Sequence, residues 1–597
     1  MKTTTEKVRG HSPQRVSRRN RPVGPHYKWI VLSNTTLGVL MASIDASIVL
    51  ISLPAIFKGI QINPLAPGET NYFLWILLGY MMVTATLLVT FGRISDMYGR
   101  VRFYNIGFAI FAVGSILLWL TPSTGNAGAL ELILFRFVQG IGAAFLFANS
   151  AAIITDAFPA HQRGLALGIN QIAAIVGSVI GLIMGGILSY FDWRLVFLVS
   201  VPVGVIGTIW AYLMLREVAT IRKHQRIDWA GNITFVAGLT ILLFGITYGI
   251  EPYGGSSTGW GNPMVIGALC AGFLLLAAFV RIELHVQDPM FQLQLFKIRM
   301  FAAGNTSSFL ASIARGGLQF MLVIWLQGIW LPLHGYSYEV APLWAGIYMI
   351  PLMVGFLLMG PLSGWLSDRY GARLFSTSGM LIQALGFFLL TVIPLNFDYM
   401  WFWPILFMLG IGQGMFSSPN TSSIMGSVPA EQRGVASGMR ATFQNSGSLV
   451  SIGVFFSLIT AGLAATLGTT LSAGLTKSGL PAVVAAKIAH LPPTSALFAA
   501  FLGYNPMGTL VPANVLEALP AAKRAILLGH SYFPNLISPP FSQGLHNVFY
   551  LSAAMCLVAA FVSMMRGKQN TISQEVVEKS WSVDNANKQV AATSDRD

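Results

Sequence analysis

Charge is scarce in this 597-residue chain: 10% of its residues are Asp, Glu, Lys or Arg, where a soluble domain carries about 25%. Cysteine is scarcer still. Cys270 and Cys556 are the only two, each inside an apolar run, which excludes a disulfide framework and a cysteine-based metal site. The sequence has no G-x-x-x-x-G-K-[ST] nucleotide loop, no H-E-x-x-H and no stretch that reads as a soluble catalytic domain. An ATP-driven pump and an enzyme are therefore set aside, and no cofactor or metal is expected. What fills the chain is apolar, with 54% hydrophobic residues. Apolar surface on that scale is tolerable only inside a bilayer, so the expectation is an all-α integral membrane protein.

The formal charge of +14 superficially suggests nucleic acid, but its distribution argues against that partner. Eight of the 36 basic residues fall in the first 28 positions, and most of the others sit in short gaps between apolar runs. That is a topology signal, with membrane lipid headgroups as the natural contact for a basic tail. The first apolar run, from Trp29, exceeds 25 residues and is too long for a signal-peptide core.

Counting stretches of about 20 apolar residues, the length that crosses the hydrocarbon layer, gives fourteen spans: 29–57, 71–91, 103–120, 130–154, 165–189, 195–215, 229–250, 262–280, 301–331, 341–362, 374–394, 402–424, 435–463 and 546–565. Fourteen basic residues in the gaps on the side of the N-terminus, from Arg93 to Arg433, face only Lys58 and Arg194 in the short gaps opposite. Both termini are thus expected in the cytoplasm. The resulting layout is a basic tail (1–28), a first six-helix bundle (29–215), two linker helices with flanking loops (216–300) and the first five helices of a second bundle (301–463). An outer loop domain (464–545), the last helix (546–566) and a polar tail (567–597) follow. The loop domain is apolar but carries nine prolines from Pro481 to Pro540; it reads as short amphipathic helices, with a re-entrant pair as the alternative.

The chain also resembles itself at an offset of 270–272 residues. "GRISDMYGRVR" from Gly92 returns as "GWLSDRYGAR" from Gly364, which aligns Asp96 with Asp368 and Gly99 with Gly371. "GIGAAFLFAN" returns as "GIGQGMFSSPN", and "FPAHQRGLALGI" as "VPAEQRGVASGM". Three matches in order at one spacing argue for duplicated halves, the construction of many secondary transporters.

These segments carry a family resemblance. The loop at Gly92, Asp96, Gly99 and Arg100 resembles the G-x-L-x-D-x-x-G-R-x signature of the major facilitator superfamily, with Ile94 in the Leu position. "SIDASIVLISLP" around Asp45 is similar to the L-D-x-T-I-V-N-x-A-L-P motif of the fourteen-span drug:proton antiporters of that superfamily, with Ser47 for Thr. "RFVQGIGAA", with Arg136, Gln139 and Gly140, matches their R-x-x-Q-G-x-G motif. Gly177, Gly181, Gly185 and Gly186 resemble the span-five motif G-x-x-x-G-P-x-x-G-G, with Leu182 in place of the proline. The resemblance implies two six-helix bundles plus two linker helices, rocking about a central cavity. It also implies a monomer, a role for Arg136 in proton transfer, and export.

Asp45 is the only carboxylate deep in a span, where a charged side chain costs about 2.5–3.5 kcal/mol on insertion scales. Either it is a proton or cation site, or it is held permanently in a structural pair. Counting helical rise puts Arg136 at a similar depth, so the two can meet. Arg315 falls at the repeat equivalent of Asp45 and is expected to face it across the cavity. Arg440 lies one to two turns inside its span. Gln139, Asn149, Asn170, Gln171, Gln327 and Gln444 are candidate polar cavity groups, although hydrogen bonding between helices explains each as well. The reading is a secondary transporter that exchanges protons for an amphipathic or cationic small molecule. A transporter of lipids or apolar metabolites with weak or no proton coupling, and a non-transporting receptor on the same scaffold, remain the alternatives.

Overall fold

The computed structural model describes residues 26–63, 69–159, 162–218, 228–286, 289, 291–429, 432–503 and 505–567; most of both expected tails lies outside the described residues. Among the described residues, fourteen helices are long and apolar enough to cross a membrane. They are α1 (Tyr27–Gly59), α2 (Tyr72–Tyr98), α3 (Arg100–Trp119), α4 (Gly125–Ala157), α5 (Leu165–Phe191), α6 (Leu195–Met214), α7 (Trp229–Gly249), α8 (Pro263–Glu283), α9 (Arg299–Leu333), α10 (Ala341–Ser367), α11 (Ala372–Val392), α12 (Tyr399–Gly426), α13 (Val435–Lys477) and α14 (Tyr532–Met564). An even number of crossings places the start of α1 and the end of α14 at one end of the molecule, called here the termini end; the opposite end is the far end.

Helices α1–α6 pack on one another, as do α9–α14, while α7 pairs with α8 and leans on α2 and α13. The linker helix α8 is mostly exposed. Its Phe273 and Leu274 are exposed, as expected of a helix whose solvent is lipid.

The sequence repeat is matched by a repeat in packing. A side-chain carbon on Gly142 would lie 2.9 Å from Gly107 O, and one on Gly412 would lie 2.7 Å from Gly379 O. Likewise Gly140 closes on the Tyr80 carbonyl and Gly410 on the Leu352 carbonyl. Each pair is offset by the repeat length, so both bundles use the same close approach between helices. The turns joining α2 to α3 and α10 to α11 hinge on Gly99 (φ 114°) and Gly371 (φ 88°), a region of backbone space that only glycine enters freely.

Two boundaries differ from the sequence expectation. Helix α13 continues to Lys477 and α14 starts at Tyr532, so the connecting segment is 478–531 instead of 464–545. Proline punctuation misled here because α14 absorbs its prolines. Pro534 lies in the first turn, where no N–H is required. Pro539 leaves the Asn535 carbonyl without its helical donor, and Ser538 Oγ supplies one at 3.1 Å.

Within that segment, Ala482–Ala489 and Pro493–Phe501 form two short helices bent by 89°. Every residue from Thr494 to Phe501 is buried. The second helix sits in the seam between the bundles at the far end. Phe498 packs on Phe73 of α2 (4.1 Å between ring centroids) and on Phe456 of α13 (5.1 Å). Gln327 Nε2 donates to Phe501 O at 3.3 Å. Nearby, Phe73 also meets Phe320 of α9, and Gly186 of α5 closes on Leu343 of α10. The far end is therefore sealed by direct contact between the bundles and by the inserted helix. Toward the termini end, a side-chain carbon on either of the repeat-related pair Gly168 and Gly438 would meet no neighbouring helix within 4 Å among the described residues.

Candidate transport site

Asp45 sits in the middle of α1, where every backbone group is already used by the helix, so its carboxylate must find side-chain partners. Two come from α4, three residues apart and hence on one face. Arg136 Nη1 lies 2.5 Å from Asp45 Oδ2, and Gln139 Nε2 donates to Asp45 Oδ1 at 2.8 Å. Gln139 is itself held by Arg136 Nη1 (2.6 Å) and, from α3, by Ser115 Oγ (2.8 Å). The guanidinium lies 4.3 Å from the centroid of the Tyr80 ring, and its Nε donates to Ile76 O at 3.3 Å. Asp45, Arg136 and Gln139 are wholly excluded from solvent. The cluster is neutral overall, which makes it tolerable, but losing one charge strands the other, at a cost of about 3–5 kcal/mol. Tyr80 Oη, beside it, has no hydrogen-bond partner among the described residues.

The glycine stripe of α5 fixes α1 in place. Side-chain carbons on Gly177, Gly181 and Gly185 would lie 2.7, 2.5 and 2.9 Å from the carbonyls of Leu40, Ile44 and Ile48, one per turn of α1. Bulk at any of them would displace the helix that carries Asp45. Leu182, in the motif's proline position, is buried and packs on Gly346 of α10. Helix α5 thus links the helix of Asp45 to the opposite bundle at the far end.

The other sequence candidates fall in separate places. Arg315 does not face Asp45: both Asp45 oxygens are taken within the first bundle, and the Arg315 guanidinium lies 6.0 Å from the Phe416 ring centroid in the second. Equivalence by repeat fixes a position along the helix, not a partner across the seam. Arg440 Nη1 donates to Gln444 Oε1 at 3.0 Å along α13. Asn149 donates to Ser95 Oγ and Phe145 O, and Asn170 pairs with Ser150, so both tie helices together. Gln327 belongs to the far-end seal, and Gln171 is partly accessible. The Asp368 side chain lies outside the described residues.

A profile of the major facilitator superfamily matches residues 35–452. The chain belongs to the major facilitator superfamily. Its relatives include the riboflavin transporter RibZ of Clostridioides difficile, 28% identical over 70% of this chain and 85% of that protein. Multidrug resistance protein 3 of Bacillus subtilis is 28% identical, with 72% and 78% covered. The tetracenomycin C resistance and export protein of Streptomyces glaucescens is 25% identical, with 90% and 92% covered. Among solved structures, a bacterial homologue of the human lysosomal transporter Spinster, in an inward-facing and occupied conformation, aligns with a TM-score of 0.53. At 15% identity, over 91% of this chain and 97% of that one, the likeness is one of fold.

The superfamily's signature loop forms a network at the termini end. Arg100 Nε lies 2.6 Å from Asp96 Oδ1, and its Nη1 lies 2.7 Å from Asp156 Oδ2, at the end of α4. Glu217, just beyond α6, accepts from the backbone N–H groups of Arg100 and Val101, both at 3.0 Å, and so caps α3. Burial pushes the Glu217 carboxyl above the usual range despite these two donors. Asp156 and Glu217 went unread in the sequence because they lie 56 and 117 positions from Arg100. Gly92 approaches only Ala148, at 4.0 Å.

Proposed function

We propose that the protein is a proton-coupled exporter of amphipathic small molecules, working by alternating access in the plasma membrane with both termini in the cytoplasm. The observation that carries this reading is the Asp45–Arg136 pair: a lone deep carboxylate, fully buried and neutralised by one arginine. Protonating Asp45 cancels its charge and leaves Arg136 uncompensated, so proton binding changes how α1 and α4 hold together. Helix α1 is keyed to α5, and α5 touches α10 at the far-end seal. A proton at Asp45 thus has a packed route to the contacts that must open.

The orientation rests on the basic loops of the termini end. The resistance and export proteins among the relatives support an efflux direction, whereas the riboflavin transporter cautions against reading a substrate from kinship. With one deep carboxylate, one proton per cycle is expected. The protein works as a monomer on this reading.

The test is reconstitution in liposomes with an internal pH dye and an imposed proton gradient, into which amphipathic compounds are added. Wild type is expected to dissipate the gradient, and Asp45→Asn is expected to fold and fail to do so. Unchanged gradient-driven flux in Asp45→Asn would overturn the mechanism. Substrate flux without any proton movement in wild type would favour the uncoupled lipid or metabolite transporter.

A further inference from the structure

We propose that Arg315 and Arg440 form a subsite in the second bundle for the acidic group of the exported amphiphile; the proposal rests on the export reading above and names its substrate class.

Arg136 and Arg315 lie deep in spans and Arg440 one to two turns inside its own, and Arg136 takes the one deep carboxylate among the described residues. Neither Arg315 nor Arg440 has an ion pair among the described residues. Arg315 Nη1 and Arg440 Nε have no hydrogen-bond partner there, nor does Ser312 Oγ, one turn before Arg315. Arg315 Nη1 and Arg440 Nε are themselves buried, while each residue as a whole is partly accessible, unlike Arg136.

Helix geometry directs the two side chains toward each other. Helices α9 and α13 run parallel and touch where Gly316 meets the Ser448 backbone and Gly447 meets Ser312. Arg440 lies on the same face of α13 as Gly447, about 12 Å nearer the termini end than Ser448. Its guanidinium bends back toward Arg315 to reach Gln444, while side chains on a helix such as α9 tilt toward its N-terminus, toward Arg440. Phe416 supplies an aromatic surface beside them. Two guanidiniums with free donors and no ion pair lack one thing, an anion. Guanidinium geometry suits a planar carboxylate or a phosphate. Such a group comes from an amphiphilic acid or from an anionic lipid headgroup. The partial accessibility of both arginines favours the exported acid.

The test uses purified protein in phosphatidylcholine nanodiscs, with no proton gradient, so a failure of proton coupling leaves its result unaffected. The probes are dansyl-undecanoic acid and its methyl ester, read by energy transfer from the 14 tryptophans. The acid is expected to bind at least about tenfold more tightly than the ester, a margin typical of a charge-assisted hydrogen bond. Arg315→Gln and Arg440→Gln are expected to abolish that preference, leave ester binding unchanged and melt no lower than wild type, since each removes an unpaired buried charge. Arg315→Lys, which keeps a cation, is expected to retain part of the preference. Equal binding of acid and ester by wild type, or a preference that survives both Gln variants, would overturn the proposal. So would Gln variants that melt well below wild type, the mark of a structural arginine. Displacement of the acid probe by added phosphatidylglycerol would give the subsite to a lipid headgroup and overturn its assignment to the substrate.

Discussion

Arg136 reaches from α4 to place Nη1 2.5 Å from Asp45 Oδ2, while Gln139, one turn along, closes the second carboxylate oxygen. This arrangement holds the only deep carboxylate among the described residues away from water and makes it dependent on one cation. Its consequences for stability and transport can be separated experimentally.

Asp45→Ala leaves Arg136 buried and unpaired, and should cost about 3–5 kcal/mol. The double variant Asp45→Met, Arg136→Met replaces both charges with apolar groups and should recover most of that loss, without recovering transport. Thermal unfolding of the three proteins in detergent checks the first point, and liposome flux the second. A double variant no more stable than Asp45→Ala would mean that the pair is not the source of the cost.

The stripe on α5 predicts a graded effect of size. Gly181→Ala places a methyl against the Ile44 carbonyl, 2.5 Å from the added carbon, so α1 and α5 must separate. Overpacking of this kind costs about 1–3 kcal/mol, and Gly181→Val should cost more. Because α1 carries Asp45, transport should fall faster than expression. Gly168→Ala, where the structure leaves open space, is the control and should be silent in both measurements.

Opening the far end requires Pro493–Phe501 to part from α2. Phe73 and Phe498 lie 4.1 Å apart by ring centroids. Phe73→Cys with Phe498→Cys, in a background where Cys270 and Cys556 are serine, should therefore be bridged by a short bis-methanethiosulfonate cross-linker. The cross-linked protein should stop transporting and recover on reduction. Undiminished flux through fully cross-linked protein would show that this helix stays in place during the cycle.

Glu251, in the turn between α7 and α8, is pushed up to about 7 by burial. The fold thus favours the protonated carboxyl. That contribution is complete below the ordinary glutamate value of about 4.3 and is lost as pH rises through about 7. Melting temperature should accordingly decline over that interval, and Glu251→Gln should flatten this part of the curve. An identical pH profile in the variant would rule Glu251 out as its source.

Much of this protein was decided locally, and therefore by its sequence. A run of some twenty apolar residues has no stable option in lipid other than a helix, so the number of spans and their approximate positions follow from composition along the chain. The duplication was equally legible, since Gly99 and Gly371, or Gly142 and Gly412, serve the same local geometry twice. Asp45 announced itself by being a carboxylate where carboxylates are costly. Tertiary structure decided the partners. Arg136 was a matter of depth until α4 was seen to lie beside α1, and no local rule ties Glu217 to Arg100 across 117 positions. Arg315 was placed correctly along its helix but given the wrong neighbour, because a repeat fixes depth and leaves the direction of a side chain to packing. The proline-rich segment was least legible of all. Whether Pro539 breaks a helix depends on whether a hydroxyl such as that of Ser538 takes over the orphaned carbonyl. Whether Pro493–Phe501 is a surface helix or a plug depends on Phe73, Phe320 and Phe456, which only the folded bundles bring together.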